Sequence, residues 1–319
     1  MKNLNFLNHA LGDAAPFPID PVLTGITVAY SNRAFIADEV LPRVPVSRMA
    51  FKYFLYPLND GFQNLRTEVA RKGKPKEIEL SATEATSECV NQALDDAIPY
   101  DDIEDAPDNY DPEGRSVENL TNLILLQREL RAVSVVFNTA NYATGYTGAI
   151  TEEWDDQTNG VPVDDILTAK DVPIMTPNVM VIGQEGWKHL RTHPQIIKAI
   201  NGTAGDEGAA TRQQVMDLFE LEKLLVGRSL YNTAKKGQTV SLSPGWSNEY
   251  CALLYIDPLA DTRGGITFGF TAQKGTREAG SDDDKNIGAK GGKRVRVVEA
   301  VKELAVANRA GYLFSNVTT

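Results

Sequence analysis

The chain has 319 residues, of which 42% are hydrophobic and 24% charged, with a net charge of −11. Such usage excludes disorder throughout, and the length suits about two domains with a sizeable core. The acidic balance excludes a nucleic-acid-binding domain, because such domains displace phosphate counterions with Lys and Arg. Met1 to Asp20 is polar and carries Pro16 and Pro18, so no signal peptide is expected, and no apolar run is long enough to cross a membrane. Cys89 and Cys251 form no CxxC pair and are expected as small buried hydrophobes in a reducing cytoplasm.

In chain order, the first forty-odd residues read as an extended arm. Phe17, Ile19, Val22 and Leu23 are scattered among Gly, Pro and polar residues, and Pro42 and Pro45 break any helix near its end. Such a segment hardly buries itself and needs either the rest of the domain or a neighbouring subunit. Phe51, Tyr53 and Leu55 alternate with Lys52, Phe54 and Tyr56, which predicts a strand, and Glu77 to Thr83 predicts a second. Between them lie Asp60-Gly61 and the basic residues Arg71, Lys72, Lys74 and Lys76, so the pair reads as a long hairpin. Strands of ten residues reach ~33 Å, which carries the tip clear of a compact core. A two-stranded projection is marginal alone and calls for a partner surface.

The clearest helix is predicted over 112–142, with Asp111 as N-cap and Pro112 at the first helical position. Leu123, Leu126, Leu130, Val133, Phe137 and Ala140 recur at spacings of 3 and 4, the expected core stripe. At 1.5 Å per residue this helix would span ~45 Å and act as a backbone for the whole subunit. From Pro177 the pattern becomes α/β. Strands are predicted over 178–183, 224–231 and 250–256, with helices over 184–193, 196–200 and 211–221. After a strand over 266–271, the stretch 272–292 carries five glycines and Asp282-Asp283-Asp284 and reads as flexible. The end, 295–317, is β-rich.

No catalytic or cofactor motif survives testing. His189 and His193 have the i, i+4 spacing of metal ligands, but Leu190 stands where the zinc-protease pattern needs Glu, so a surface helix pair is expected. Asp282, Asp284 and Asn286 imitate a calcium loop that then fails at Ile287 and Lys293. Val181 to Gly186 lacks the second glycine of a dinucleotide fingerprint and puts Glu185 where a pyrophosphate would sit. There is no Walker A and no GxSxG pattern, so neither an enzyme nor a cofactor or metal site is expected; a soluble α/β enzyme would be a small stable monomer with turnover.

Charge patterning is more informative. Glu77 to Gly114 holds thirteen acidic residues and no Lys or Arg, directly after the basic cluster Arg71, Lys72, Lys74 and Lys76. Two solvated faces are the plain alternative. The sharper expectation is that the basic tip of one subunit docks on the acidic segment of the next, with Asp101, Asp102 and Asp105 opposite the tip.

These elements, in this order, resemble the major capsid protein of tailed bacteriophages, an α+β fold of Hong Kong 97 type that encapsulins share. The phrases Phe35 to Pro45 (FIADEVLPRVP), Asn178 to Pro194 (NVMVIGQEGWKHLRTHP) and Glu303 to Phe314 (ELAVANRAGYLF) carry the similarity. The resemblance implies an N-terminal arm over 1–48 and an E-loop hairpin over 49–88. It implies a peripheral domain over 89–175 with the spine helix, an axial domain over 176–265, and a return to the peripheral sheet over 266–319. It also implies hexamers and pentamers closing into an icosahedral shell around double-stranded DNA, in the cytoplasm of a host bacterium. Scaffolding, portal and decoration proteins are the implied partners, with no membrane and no sequence-specific DNA contact. A negative wall suits that role, since it does not stick to packed nucleic acid. The chain starts directly with the arm, so scaffolding comes from a separate protein or a removed prodomain, and no Lys–Asn cross-link pair is identified. The alternative on the same fold is an encapsulin-type shell enclosing cargo enzymes.

Overall fold

A computed structural model describes residues 17–55, 64, 67–78, 83–202, 205, 207–235 and 237–318. The first sixteen residues of the expected arm, with His9, lie outside the described residues, as do 56–63 and 79–82 of the expected hairpin.

Helix α1 (Pro21–Ala29) starts where Asp20 Oδ1 accepts from the amides of Val22 at 2.7 Å and Leu23 at 3.2 Å, with proline at the first position. It buries Leu23 and Thr27. A short helix α2 (Ala37–Val40) leads into strand β1 (Arg43–Val46). The arm thus satisfies itself partly within its own chain, burying Ile36, Ala37, Val40, Leu41 and Val44. Strands β2 (Ala50–Leu55) and β3 (Thr83–Glu88) pair antiparallel from Ala50↔Glu88 to Leu55↔Thr83 as a sheet of two strands. The described part of the second strand runs from Thr83, the last residue of the stretch where the sequence predicts it. Cys89 then turns the chain, buried, into β4 (Val90–Pro99) and the short helix α3 (Tyr100–Glu104).

The spine, α4 (Pro112–Val136), is capped by Asp111, whose side chain accepts from Glu113 N at 3.1 Å. It stops before residue 142 because Phe137 leaves helical geometry and Asn138 caps a separate 3-10 turn, accepting from Ala140 N at 3.0 Å. Its buried stripe is also not the predicted one. Val117, Leu120, Ile124, Arg128, Glu129 and Ala132 face inward, while Leu123 is 48% exposed. Hydropathy hides this face because two of its members, Arg128 and Glu129, are charged and buried only through their partners.

Past β5 (Thr147–Ala149) and α5 (Pro162–Lys170) the α/β block follows expectation closely. It comprises β6 (Val179–Gly183), α6 (Gln184–Thr192), α7 (Pro194–Asn201), α8 (Arg212–Phe219) and β7 (Lys223–Gly227). A small hairpin, β8 (Leu230–Asn232) with β9 (Leu242–Pro244), precedes β10 (Tyr250–Leu254). The stretch read as flexible is instead a long antiparallel pair, β11 (Gly269–Asp284) and β12 (Gly292–Ala305), with only 285–291 left as its loop. The pairing shifts register between Lys274 and Glu278, where Gly275 takes φ +69°. Gly280 is required by a close approach: a Cβ there would lie 2.0 Å from the carbonyl oxygen of Pro18. The glycines that mimic a loop are the places where the backbone bulges or touches another strand of chain. The last strand is β13 (Gly311–Ser315).

Two main sheets result. One has four strands in the order β1-β11-β12-β4, and the other five in the order β5-β13-β10-β6-β7. The expected return of 266–319 to a single sheet is therefore split, since β11 and β12 enter the first sheet and β13 sits inside the second, between β5 and β10. On one face of the five-stranded sheet, Trp154, Ile166, Trp187, Leu190 and Phe219 form a core with the flanking helices. The C-terminal half of α4 packs on the other face through Ala132 and Val136, against Val181, Trp246 and Phe268. Its N-terminal half covers the four-stranded sheet, with Val117, Leu120 and Ile124 against Val295 and Val297. The spine helix thus joins two cores. Among the described residues, no helix is long and apolar enough to cross a membrane.

Candidate assembly surfaces

The basic cluster lies on a turn in which Gly73 N donates to Ala70 O at 2.7 Å. Arg71, Lys72, Lys74 and Lys76 are all exposed and, among the described residues, have no ion-pair partner. The acidic segment is divided by its fold. Asp95 lies beside β12 and is held by both Nε and Nη2 of Arg296 at 2.5 Å, a contact that keeps its carboxyl below the usual range. Asp96 accepts from Ser116 Oγ at 2.6 Å, and Glu113 pairs with Lys293 at 2.5 Å. Asp101 pairs with Lys290 at 2.5 Å. Of the predicted trio, then, Asp101 is engaged inside its own chain, whereas Asp102 and Asp105 are exposed without an ion-pair partner among the described residues. No ion pair joins the basic tip to the acidic segment within the described part of one chain.

A charge network around buried Arg128 and Glu129 fixes the arm to the spine. Glu129, fully buried, accepts from the amides of Ile36 and Ala37 at 2.9 Å each and from Trp246 Nε1 at 2.6 Å. It supplies the cap that α2 lacks locally. Burial pushes its carboxyl above the usual range, against the pull of these donors. Beside it Arg128 donates to Asp38 at 2.5 Å, Thr271 Oγ1 at 3.1 Å and Leu41 O at 3.3 Å. Arg43 bridges Asp38, at 2.6 Å, and buried Glu299. Burial works against the charge on Asp38, but Arg128 and Arg43 outweigh it and hold the carboxyl low. On the outer side Arg131 grips Glu303 through Nε and Nη2 at 3.0 and 3.1 Å. The only sequence signal for this network was the pair of charges breaking the apolar rhythm of the helix.

The residues tested for other chemistry have structural duties. His193 is buried, not a surface partner of His189; its Nδ1 accepts from Gln195 N at 3.2 Å and caps α7, and its Nε2 faces Asp156 O at 3.3 Å. The turn after β6 is closed by Asn248, whose Oδ1 accepts from Glu185 N at 3.2 Å. Asp284 accepts from Asn286 N at 2.9 Å and pairs with Arg294 at 2.7 Å, ordering the β11–β12 loop. Among the described residues, no group of three or more His, Cys, Asp or Glu is placed to hold a metal ion.

The family model of phage major capsid protein E matches residues 129–237. A major capsid protein of Pseudomonas phage JBD67 is 48% identical over 304 residues, covering 95% of this chain and 98% of that one. Among solved structures, a phage-related protein from Bordetella bronchiseptica RB50 superposes with a TM-score of 0.74 at 21% identity, over 95% of this chain and 98% of its own. The capsid structure of Cyanophage P-SCSP1u gives 0.58 at 8% identity, over 97% and 93%. The mixed α+β architecture is that of tailed-phage capsid proteins. With a relative so similar over nearly its whole length, the chain belongs to the phage major capsid proteins, structural components of the virion shell and not enzymes.

Proposed function

We propose that copies of this chain form hexamers and pentamers that close into an icosahedral shell around double-stranded DNA, assembled in the cytoplasm of the host bacterium. One observation carries the reading: an exposed basic turn and the exposed acids Asp102 and Asp105 have no ion-pair partner in the described part of their own chain. The arm (1–48), the hairpin (49–88) read as an E-loop and the spine region (89–175) form the periphery, the block 176–265 is axial, and 266–319 joins the two. The tip residues Arg71, Lys72, Lys74 and Lys76 of one copy meet Asp102 and Asp105 of the next, with Asp101 sharing its charge with Lys290. Each exposed pair contributes ~0–1 kcal/mol, weak enough for misplaced subunits to leave. Scaffolding, portal and decoration proteins are further partners, and the DNA is held without sequence-specific contacts.

The test is Lys72→Glu with Lys74→Glu, followed by particle yield across a salt series. Loss of particles, or a changed salt dependence, is the expected result; normal assembly with unchanged salt sensitivity would refute the docking. The contents of purified particles distinguish a DNA-filled shell from an encapsulin-type one, which would enclose enzymes.

A further inference from the structure

The two edge strands of the five-stranded sheet have surroundings of opposite charge. Its order, β5-β13-β10-β6-β7, puts β5 at one edge and β7 at the other, ~19 Å apart at the usual strand spacing. Strand β13 is parallel to β5, β10 is antiparallel to both β13 and β6, and β6 is parallel to β7. Therefore β5 and β7 run the same way, and the segments after them leave the sheet at the same end.

The segment after β5 is acidic. From residue 132 to 169 there is no Lys or Arg, and Glu152 and Asp164 are exposed. Asp165 is tied to the same place, accepting from Trp154 Nε1 at 3.0 Å. The surface beyond β7 is basic. Arg228, next after the strand, donates to the neutral Gln184 Oε1 at 2.8 Å. Arg212 opens α8, which packs on β7, and Arg191 closes α6 with its guanidinium 5.9 Å from the Trp187 ring centroid. None of the three has a carboxylate partner among the described residues. Burial first, then the charges of Arg228 and Arg191, push the Arg212 guanidinium down, which shows that like charges gather there.

Each edge also shows apolar surface. Beside the arginines, the hairpin β8–β9 exposes Leu230 by 54% and Leu242 by 60%, and its register puts both on one face. Beside the acids, Leu167 is 46% and Val161 41% exposed.

Resting on the shell reading above, we propose that these edges are the two halves of one contact between copies of this chain. The basic edge of one copy meets the acidic edge of the next, and the subunits close head to tail into a ring. Charge at one level on opposite edges is what a heterologous, ring-closing interface requires, whereas a two-fold contact needs a self-complementary patch. This contact is separate from the docking of the basic turn on the acidic segment.

A charge swap tests it. Arg212→Glu with Arg228→Glu makes both edges acidic, and Glu152→Lys with Asp164→Lys removes the acidic one. Near-ultraviolet circular dichroism verifies that each variant is folded, and sedimentation with electron microscopy counts particles at ~0.15 M salt, where only close charges still interact. Each variant alone should lose its particles, and the chain carrying all four substitutions should regain them, since a basic edge then again meets an acidic one in rings of five and of six alike. Wild-type yields from either folded two-site variant, or no particles from the folded four-site variant, overturns the proposal while leaving the shell reading intact. Normal particles of the arginine variant with less nucleic acid inside likewise overturn it and assign the arginines to phosphate. A wild-type chain that forms no particles at all counts instead against the shell reading, and with it the ring.

Discussion

Replacing Glu129 by leucine tests how the arm is fixed to the spine. The carboxylate takes three buried N–H groups, those of Ile36, Ala37 and the Trp246 ring, at 2.9, 2.9 and 2.6 Å. Leucine fills similar space and accepts none of them. Leaving a buried donor unpaired costs about 1–3 kcal/mol, so three would cost about 3–9 kcal/mol. The variant also avoids desolvating a charge and gains apolar burial, and a net loss of about 3–5 kcal/mol is expected. Against a total stability of about 5–15 kcal/mol such a subunit is marginal. Burial raises the Glu129 carboxyl above its ordinary 4.5, so the folded chain binds the proton more tightly than the unfolded one. The stability this adds is fully present below about pH 4.5 and is lost as pH rises through the raised value. The gap between wild type and variant should therefore narrow as pH rises above 4.5 through the raised value. Urea unfolding of the unassembled subunit, followed by tryptophan fluorescence at several pH values, measures it. A cost below about 1 kcal/mol would refute the hydrogen-bond accounting, and a gap that widens with pH would show that the donors outweigh burial. A double-mutant cycle with Trp246→Phe should give a coupling of about 1.5–3 kcal/mol, the range for a hydrogen bond to a charged group.

Gly280→Ala should push the segment around Pro18 off β11, because the new Cβ would lie 2.0 Å from the Pro18 oxygen and 2.8 Å from the Phe17 ring. A loss of about 1–3 kcal/mol is expected, with faster hydrogen exchange at the Asp20 amide, which donates to Ala279 O at 3.1 Å; unchanged exchange there would contradict the contact. His193→Ala should cost about 1 kcal/mol through the lost cap of α7. Burial holds the His193 ring below its ordinary 6.5, so its contribution is present above that value and lost as pH falls through the lowered one. Thermal melts should then show wild type and variant converging on the acid side, and a constant gap across pH would rule out this cap.

The strands and helices of the α/β block were legible because β6, β7 and β10 are short continuous apolar runs punctuated by Pro and Gly. The spine was legible at its start, where Asp111 and Pro112 act locally, and misread at its end, where Asn138 begins a different turn through its side chain. Its inward face was misread for a deeper reason. Arg128 and Glu129 are core residues only because Asp38, Thr271, Ile36 and Trp246 reach them from distant parts of the chain. The stretch 272–292 failed similarly, since Gly280 and Arg277 gain meaning from Pro18 and Glu299, and Asp284 from Arg294 across the loop, none of them within the stretch. The basic tip and acidic segment were legible as composition. How the acids divide was not, because Lys290, Lys293 and Arg296 that neutralise Asp101, Glu113 and Asp95 lie about 180 to 200 residues away.

That division bears on how a shell can assemble and still hold. Contacts between exposed charges are weak and screened by salt, which makes them reversible. Weak contacts specify a curved lattice only if the groups that make them are held at fixed angles, since flexing would spend their small energy on ordering. The fold meets this need by putting its strong electrostatics inside. The buried carboxylates of Glu129, Glu299 and Glu303 tie the arm, α4, β11 and β12 into one frame that spans both cores. A subunit loosened at this network should thus fail in assembly before it fails in folding. Glu129→Leu is the case that separates the two, because its lost acceptor is fully buried and belongs to neither proposed set of exposed contact residues.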